Sequence, residues 1–184
     1  MKKMLFIILL GIYSLNINAN NWHTSFEEAK KMALITNKLL LVDFSAVWCG
    51  PCKRMDSESW SKEDVKLLMA NYIPVKIDID RYRDLAHKYR VKGIPYIFIM
   101  DANGKVIYQQ MSYKKKSEVI YLLKKYALDT TFLSKELINY YKKTNFSNAF
   151  RLASKYQDFS IYIDSKLKRD FLVVANEYFN DTKK

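Results

Sequence analysis

The 184-residue chain has little of what metal sites and multiply bridged domains are built from: two cysteines and two histidines in all. Structural zinc is tetrahedral, so two thiols need further ligands, and His23 and His87 stand isolated with no metal spacing. No metal and no cofactor is therefore expected. No cysteine lies near the end of the N-terminal apolar run, which excludes a cysteine-linked lipid anchor. That run, Met4 to Ile12, is too short to span a bilayer comfortably. There is no nucleic-acid-binding motif, so nucleic acid is not an expected partner. No helical-pair repeat with a defensible period is present. With 49% of residues apolar, a packed core is within reach and disorder is not expected.

What the ends carry is more informative. Lys2 and Lys3, the run Met4 to Ile12 and the small residue Ala19 have the layout of a secretory signal over residues 1–19, with an uncleaved anchor as the lesser alternative. The mature protein is then expected in a bacterial periplasm or outside the cell. Charge is uneven. From Asn20 to Tyr113 there are 14 Lys/Arg against 11 Asp/Glu, and from Lys114 onward 15 against 8. The basic residues are mostly scattered at helical spacings among acids and tyrosines, as on a solvated face.

Periodicity predicts a helix over 26–35, with Phe26, Ala29, Met32, Ala33 and Leu34 on its apolar face and Thr24 or Ser25 as its cap. Leu39 to Phe44 is a continuous apolar run carrying one acid, which suits a central strand covered on both faces. A helix opening at Cys49, a helix over 62–71, a strand over 73–79, a short helix over 81–89 and a strand over 96–100 follow. Asn103-Gly104 signals a hairpin into a strand over 106–111, then a helix over 117–126. This order predicts an α/β fold, a mixed sheet flanked by helices. Its first strands are expected parallel and its last pair antiparallel. Residues 129–184 show no strand signal and read as three helices (131–143, 146–156 and 161–178), the last two separated by a turn at Gln157-Asp158. The chain thus divides into a signal segment (1–19), an α/β domain (20–128) and an all-α C-terminal extension (129–184).

The chemistry is concentrated in Trp48-Cys49-Gly50-Pro51-Cys52-Lys53, directly after a buried strand and opening a helix. Unsatisfied N–H groups and the dipole at a helix N-terminus favour a thiolate there. Cys49, nearer the open end, is expected to be the exposed nucleophile. Cys52, one turn in, is expected to resolve the mixed disulfide. Gly50 admits a substrate backbone, and Pro51 suits a first turn where its missing N–H costs nothing. A purely structural bridge across so short a loop contributes roughly 2 kcal/mol at most, which argues for redox use. Asp43, inside the buried strand, is expected to be desolvated with a raised pKa. Alone, a strand acid reads more plainly as a turn or edge residue, but its place six residues before Cys49 changes that balance, since it would lie beneath Cys52 and could take that thiol's proton directly or through water. Lys76 reads equally as its partner or as a strand-edge lysine reaching solvent.

Asp43, the segment Trp48 to Lys53, Lys76 and Gly93-Ile94-Pro95 resemble the thioredoxin family in type, order and spacing, over about Ser25 to Tyr126. The resemblance implies a thioredoxin fold and thiol–disulfide exchange. It also implies a cis Pro95 facing the cysteines, an Ile94 backbone that pairs with the substrate, and Trp48 packed beside the disulfide. The leading helix and Lys38 are closer to bacterial periplasmic thioredoxin-like proteins than to the cytosolic one. Tyr96, where the family has a small residue, and the helical tail depart from the pattern. Gly-Pro between the cysteines lacks the histidine of oxidising relatives, so a protein-disulfide reductase is favoured. Its expected partners are disulfide-bonded client proteins and a membrane electron donor. A disulfide oxidase or isomerase, or a client-binding module docking through the tail, are the alternatives. The tail itself has two open readings, partner choice or a structural cap. In either, Leu133, Leu137, Phe146, Phe150, Ile161, Phe171 and Val174 are expected to be covered, with tyrosines and cations outward.

Overall fold

The computed structural model describes residues 22–183; the expected signal segment lies outside them. The first helix, α1 (Phe26–Thr36), starts where Ser25 Oγ accepts the Glu28 N–H at 3.3 Å. It ends at Asn37, whose φ of 55° is left-handed, a conformation asparagine tolerates. It buries Phe26, Ala29, Ala33 and Leu34, while Met32, expected on that face, is 40% exposed. Then come β1 (Leu39–Ser45), α2 (Gly50–Met55), a π-helical turn (Asp56–Trp60) and α3 (Glu63–Met69). β2 (Tyr72–Asp78), α4 (Arg83–Lys88), β3 (Tyr96–Met100), β4 (Val106–Met111) and α5 (Lys116–Lys125) complete the α/β part.

The sheet order is β2-β1-β3-β4. All seven residues of β1 are buried, as its unbroken apolar run requires. β1 and β2 are parallel, with Asp43 opposite Lys76. β3, however, runs antiparallel to β1 rather than parallel. The reason is the length of α4. Its six residues rise about 9 Å, whereas β2, with seven, runs about 23 Å. So short a helix cannot carry the chain back along the strand, and β3 re-enters from the end at which β2 leaves. That end holds the cysteines. The first residues expected in α4 are instead held in a turn, where Asp78 Oδ1 accepts the N–H groups of Asp80 and Arg81.

β3 and β4 pair antiparallel as the Asn-Gly signal implied, but through a longer connection, residues 101–105. Gly104 sits there at φ 85°, and Asp101 Oδ1 accepts the N–H groups of Asn103 and Lys105, each at 2.9 Å. The other oxygen of Asp101 faces the tail. The tail consists of a 3-10 turn (Thr131–Leu133), α6 (Ser134–Lys142), α7 (Phe146–Tyr162) and α8 (Ser165–Asp181). Tyr156 and Tyr178 both donate to Asp101 Oδ2, at 2.9 and 2.6 Å, and all three side chains are buried. Tyrosines expected on the outside are thus central to the core, which runs without a break from β3 into α7 and α8. Tyr126 donates to Asp170 at 2.6 Å, and Lys105 pairs with Asp181 at 2.8 Å, closing the same seam.

Two expectations for the tail fail. α7 runs through Gln157-Asp158, because no Gly or Pro interrupts it and Phe159 and Ser160 beyond are buried. The break falls instead at Asp164, whose side chain caps α8 by accepting the Lys166 N–H at 2.7 Å. Leu133, Leu137, Phe171 and Val174 are covered, but Phe146, Phe150 and Ile161 are 65%, 49% and 71% exposed. The aromatic pair stacks on itself at 6.1 Å instead of entering the core.

Candidate active site

β1 delivers the chain to α2 through residues 46–49, the last of which, Cys49, takes the N-cap position with extended backbone. Its Sγ accepts the Cys52 N–H at 3.1 Å, so a helix-terminal donor that would otherwise lack a partner points at this sulfur. Pro51 falls in the first turn, as expected. Cys49 and Cys52 are joined as a disulfide with Cα atoms 5.3 Å apart. Exposure does not distinguish them, contrary to expectation: both are 3% exposed in this oxidised state. What distinguishes them is position, since Cys49 Sγ receives the helix-terminal N–H.

Around the disulfide the surface is apolar. Trp48 is 65% exposed and Val47 is 76% exposed. Trp48 is held by its indole N–H, which donates to Asp80 Oδ2 at 2.7 Å. Ile79 and Ile94 pack against the cysteine pair. The Ile94–Pro95 peptide is cis, and the Pro95 carbonyl accepts the Ser112 N–H at 2.9 Å, tying this loop to the end of β4. Gly93 passes beneath Met111, whose sulfur would lie 3.0 Å from a Cβ placed there, so a larger residue would push the methionine off the loop. Tyr96, the departure noted in sequence, lays its ring on Phe98 at 4.4 Å. Gly50 is exposed, with nothing within 4 Å of where a Cβ would stand.

Asp43 is 1% exposed on β1, with Lys76 of β2 and Asp56 and Trp60 of the π-helical turn around it. Its Oδ2 lies 3.5 Å from Lys76 Nζ, and its Oδ1 has no hydrogen-bond partner. Burial pushes its pKa up to about 6; the Lys76 ammonium opposes that rise and the charge of Asp56 adds to it. Lys76 forms a short ion pair with Asp56, so one ammonium is shared by two carboxylates. Its side chain is 23% exposed on an outer strand of the sheet. Two groups here escaped the sequence reading. Asp56 lies one helical turn after Cys52, a spacing that places both on one side of the helix. Trp60 is 2% exposed with an unpartnered Nε1, beside Asp43; the inserted π-helical residue that aims it there leaves no signature in sequence. Asp80, which fixes Trp48, likewise gave no signal. Among the described residues no cluster of His, Cys, Asp and Glu could hold a metal ion.

Comparison with known proteins agrees with this geometry. The model of the family described as "Thioredoxin-like domain" matches residues 26–127. Thioredoxin-1 of Drosophila melanogaster is 32% identical over 87 residues, covering 47% of this chain and 74% of that protein. Thioredoxin of Echinococcus granulosus is 38% identical over 74 residues, covering 39% and 64%. Among solved structures, a thioredoxin from Thermus thermophilus superposes with a TM-score of 0.54 at 19% identity, over 61% of this chain and 91% of that one. The oxidised C-terminal domain of Neisseria meningitidis DsbD gives 0.50 at 20% identity, over 58% and 99%. At such identities these structures speak to the fold alone. With more than half of its length matched by the family model and its two cysteines at the head of α2, the chain belongs to the thioredoxin-like oxidoreductases.

Proposed function

We propose that the protein reduces disulfides of client proteins in the periplasm, using Cys49 as nucleophile, Cys52 as resolving thiol and Asp43 as the base that serves Cys52. The observation that carries this reading is the hydrogen bond from the Cys52 N–H to Cys49 Sγ, in a chain that also buries the Asp43 carboxylate at the centre of the sheet. In the reduced protein the same N–H and the dipole of α2 favour a thiolate on Cys49. That thiolate attacks one sulfur of a client disulfide; the other client sulfur leaves as a thiolate and takes a proton from solvent. Asp43, ionised above its pKa of about 6, accepts the Cys52 proton. The Cys52 sulfur then attacks Cys49 Sγ, the second client thiolate leaves with the proton held by Asp43, and the Cys49–Cys52 disulfide forms. Two electrons pass to the client, and an external donor, a membrane electron carrier in this reading, must restore the dithiol.

The client is held by the surface around the pair. Trp48, Gly50 and Pro51 offer one side, and the Ile94 backbone next to Pro95 offers hydrogen-bonding groups to an extended segment. The direction of electron flow rests on Gly50 and Pro51, which supply neither charge nor imidazole to stabilise the reduced form. Export rests on the N-terminal signal pattern.

Trapping tests the assignment. Cys52→Ser is expected to accumulate mixed disulfides with clients, and Cys49→Ser to lose insulin reduction. Preferential alkylation of Cys52 in the reduced, folded protein would reverse the two roles. A protein that oxidises a reduced client faster than it reduces insulin would refute the reductase direction.

A further inference from the structure

The segment before α1 reaches the groups that surround Asp43. His23 adds a single parallel bridge to the outer edge of β2: its N–H donates to the Pro74 carbonyl and its carbonyl accepts the Lys76 N–H, both at 2.9 Å. This fixes the neighbouring Trp22, which is half-buried. Its indole meets Trp60 edge-on at 5.2 Å between centroids, and Lys76 Nζ lies over the same ring at 5.1 Å. Trp22 therefore contacts both groups that flank Asp43. Lys76 approaches one carboxylate oxygen, and Trp60 stands beside the carboxylate with its N–H unpartnered.

We propose that Trp22 is a positioning residue for disulfide exchange: it closes the chamber that holds Asp43 and keeps Lys76 and Trp60 turned toward that carboxylate. The proposal rests on the reading of Asp43 as the base for Cys52. Its physical content is a balance of two effects. Removing the indole admits water to Lys76 and, past Trp60, to Asp43, which weakens the desolvation that raises the Asp43 pKa. It also lets Lys76 swing away, which acts in the opposite sense. Desolvation is the largest contribution at Asp43, and the proposed outcome is that its weakening outweighs the freeing of Lys76, so that the pKa falls toward the ordinary carboxylate range. A weaker base takes the Cys52 proton less readily. A fall of about one pKa unit, half of it felt in the barrier, slows resolution about threefold at pH 7.5.

The groups facing Asp43 are Lys76 from β2 and Asp56 and Trp60 from the π-helical turn. Among the described residues before α1, His23 is the titratable side chain and needs its own control. The test uses the full chain with Trp22→Leu, Trp22→Phe and His23→Asn. The Asp43 carboxyl carbon is titrated by NMR in the oxidised protein, and mixed-disulfide resolution is timed from pH 5 to 8 in the reduced one. Trp22→Leu is expected to move both profiles about one unit toward lower pH. Trp22→Phe, which keeps a ring over Lys76, is expected to recover most of the shift, and His23→Asn to cause none. If the leucine variant fails to fold, Trp22→Gln at this half-exposed edge is read in the same way. An Asp43 titration unchanged by loss of the indole overturns the proposal. Failure of the base reading looks different: Asp43→Asn would then resolve mixed disulfides with the wild-type pH profile.

Discussion

Replacing Asp43 with asparagine removes a buried charge whose cost can be worked out from its surroundings. The carboxyl is pushed up to about 6 from an ordinary 3.8, chiefly by burial. Two or so pKa units at 1.36 kcal/mol each come to about 3 kcal/mol of differential stability. The sign follows from proton counts. Between about pH 4 and 6 the native state holds the Asp43 proton while the unfolded chain has begun to release it, so the native state binds more protons there. Stability attributable to this group therefore falls as pH rises through that window and stays low above it. Below pH 4 both states are protonated and the deficit vanishes. Asparagine carries no such dependence. In urea titrations of the oxidised protein, Asp43→Asn is expected to gain about 3 kcal/mol more over the wild type at pH 8 than at pH 4. Under the proposed mechanism, in which Asp43 accepts the Cys52 proton, turnover near neutral pH is expected to fall in the same variant. Wild-type and variant stabilities that run parallel from pH 4 to 8 would refute the argument, since Asp43 would then titrate alike in folded and unfolded chains.

Other perturbations test the join between sheet and tail. Tyr178→Phe deletes a hydroxyl donating at 2.6 Å to the buried Asp101 and is expected to cost about 1.5–3 kcal/mol by chemical denaturation. Tyr156→Phe acts on the same oxygen, so the double variant is expected to depart from additivity by more than about 0.5 kcal/mol, and strict additivity would dissolve the shared node. Truncation after Leu128 uncovers core residues of the α/β part and strips Asp101 of both tyrosines. The shortened chain is expected to aggregate or lose cooperative unfolding, and a soluble fragment that still reduces insulin would show that the seam is dispensable.

Sequence made the head of α2 legible because local rules act there: a buried strand, two cysteines at a fixed spacing and a proline suited to the first turn all agree. Asp43 was legible for a related reason, being an acid in a run that otherwise offers no polar group. Gly93-Ile94-Pro95 was legible through the family resemblance. What escaped depends on encounters far apart in the chain. Asp101 reads as an ordinary turn acid before Ala102-Asn103-Gly104, and nothing local announces hydroxyls 55 and 77 residues later. Trp60 reaches Asp43 only because a π-helical turn shifts the helix register by a residue, whereas Asp56 stands at an ordinary helical spacing from Cys52. The antiparallel entry of β3 followed from the shortness of α4, whose ends a periodicity argument places too widely.

The bridge made by His23 also bears on how molecules of this protein avoid sticking to one another. β2 is an outer strand of the sheet, and an outer strand offers unpaired backbone groups to any extended chain that drifts alongside. Here the middle of that rim is already spent. Pro74 has no N–H to offer, its carbonyl is taken by His23, and the Lys76 N–H is taken as well. What remains exposed is too broken to template a neighbouring strand. An extended chain that drifts alongside this edge therefore finds its centre already paired.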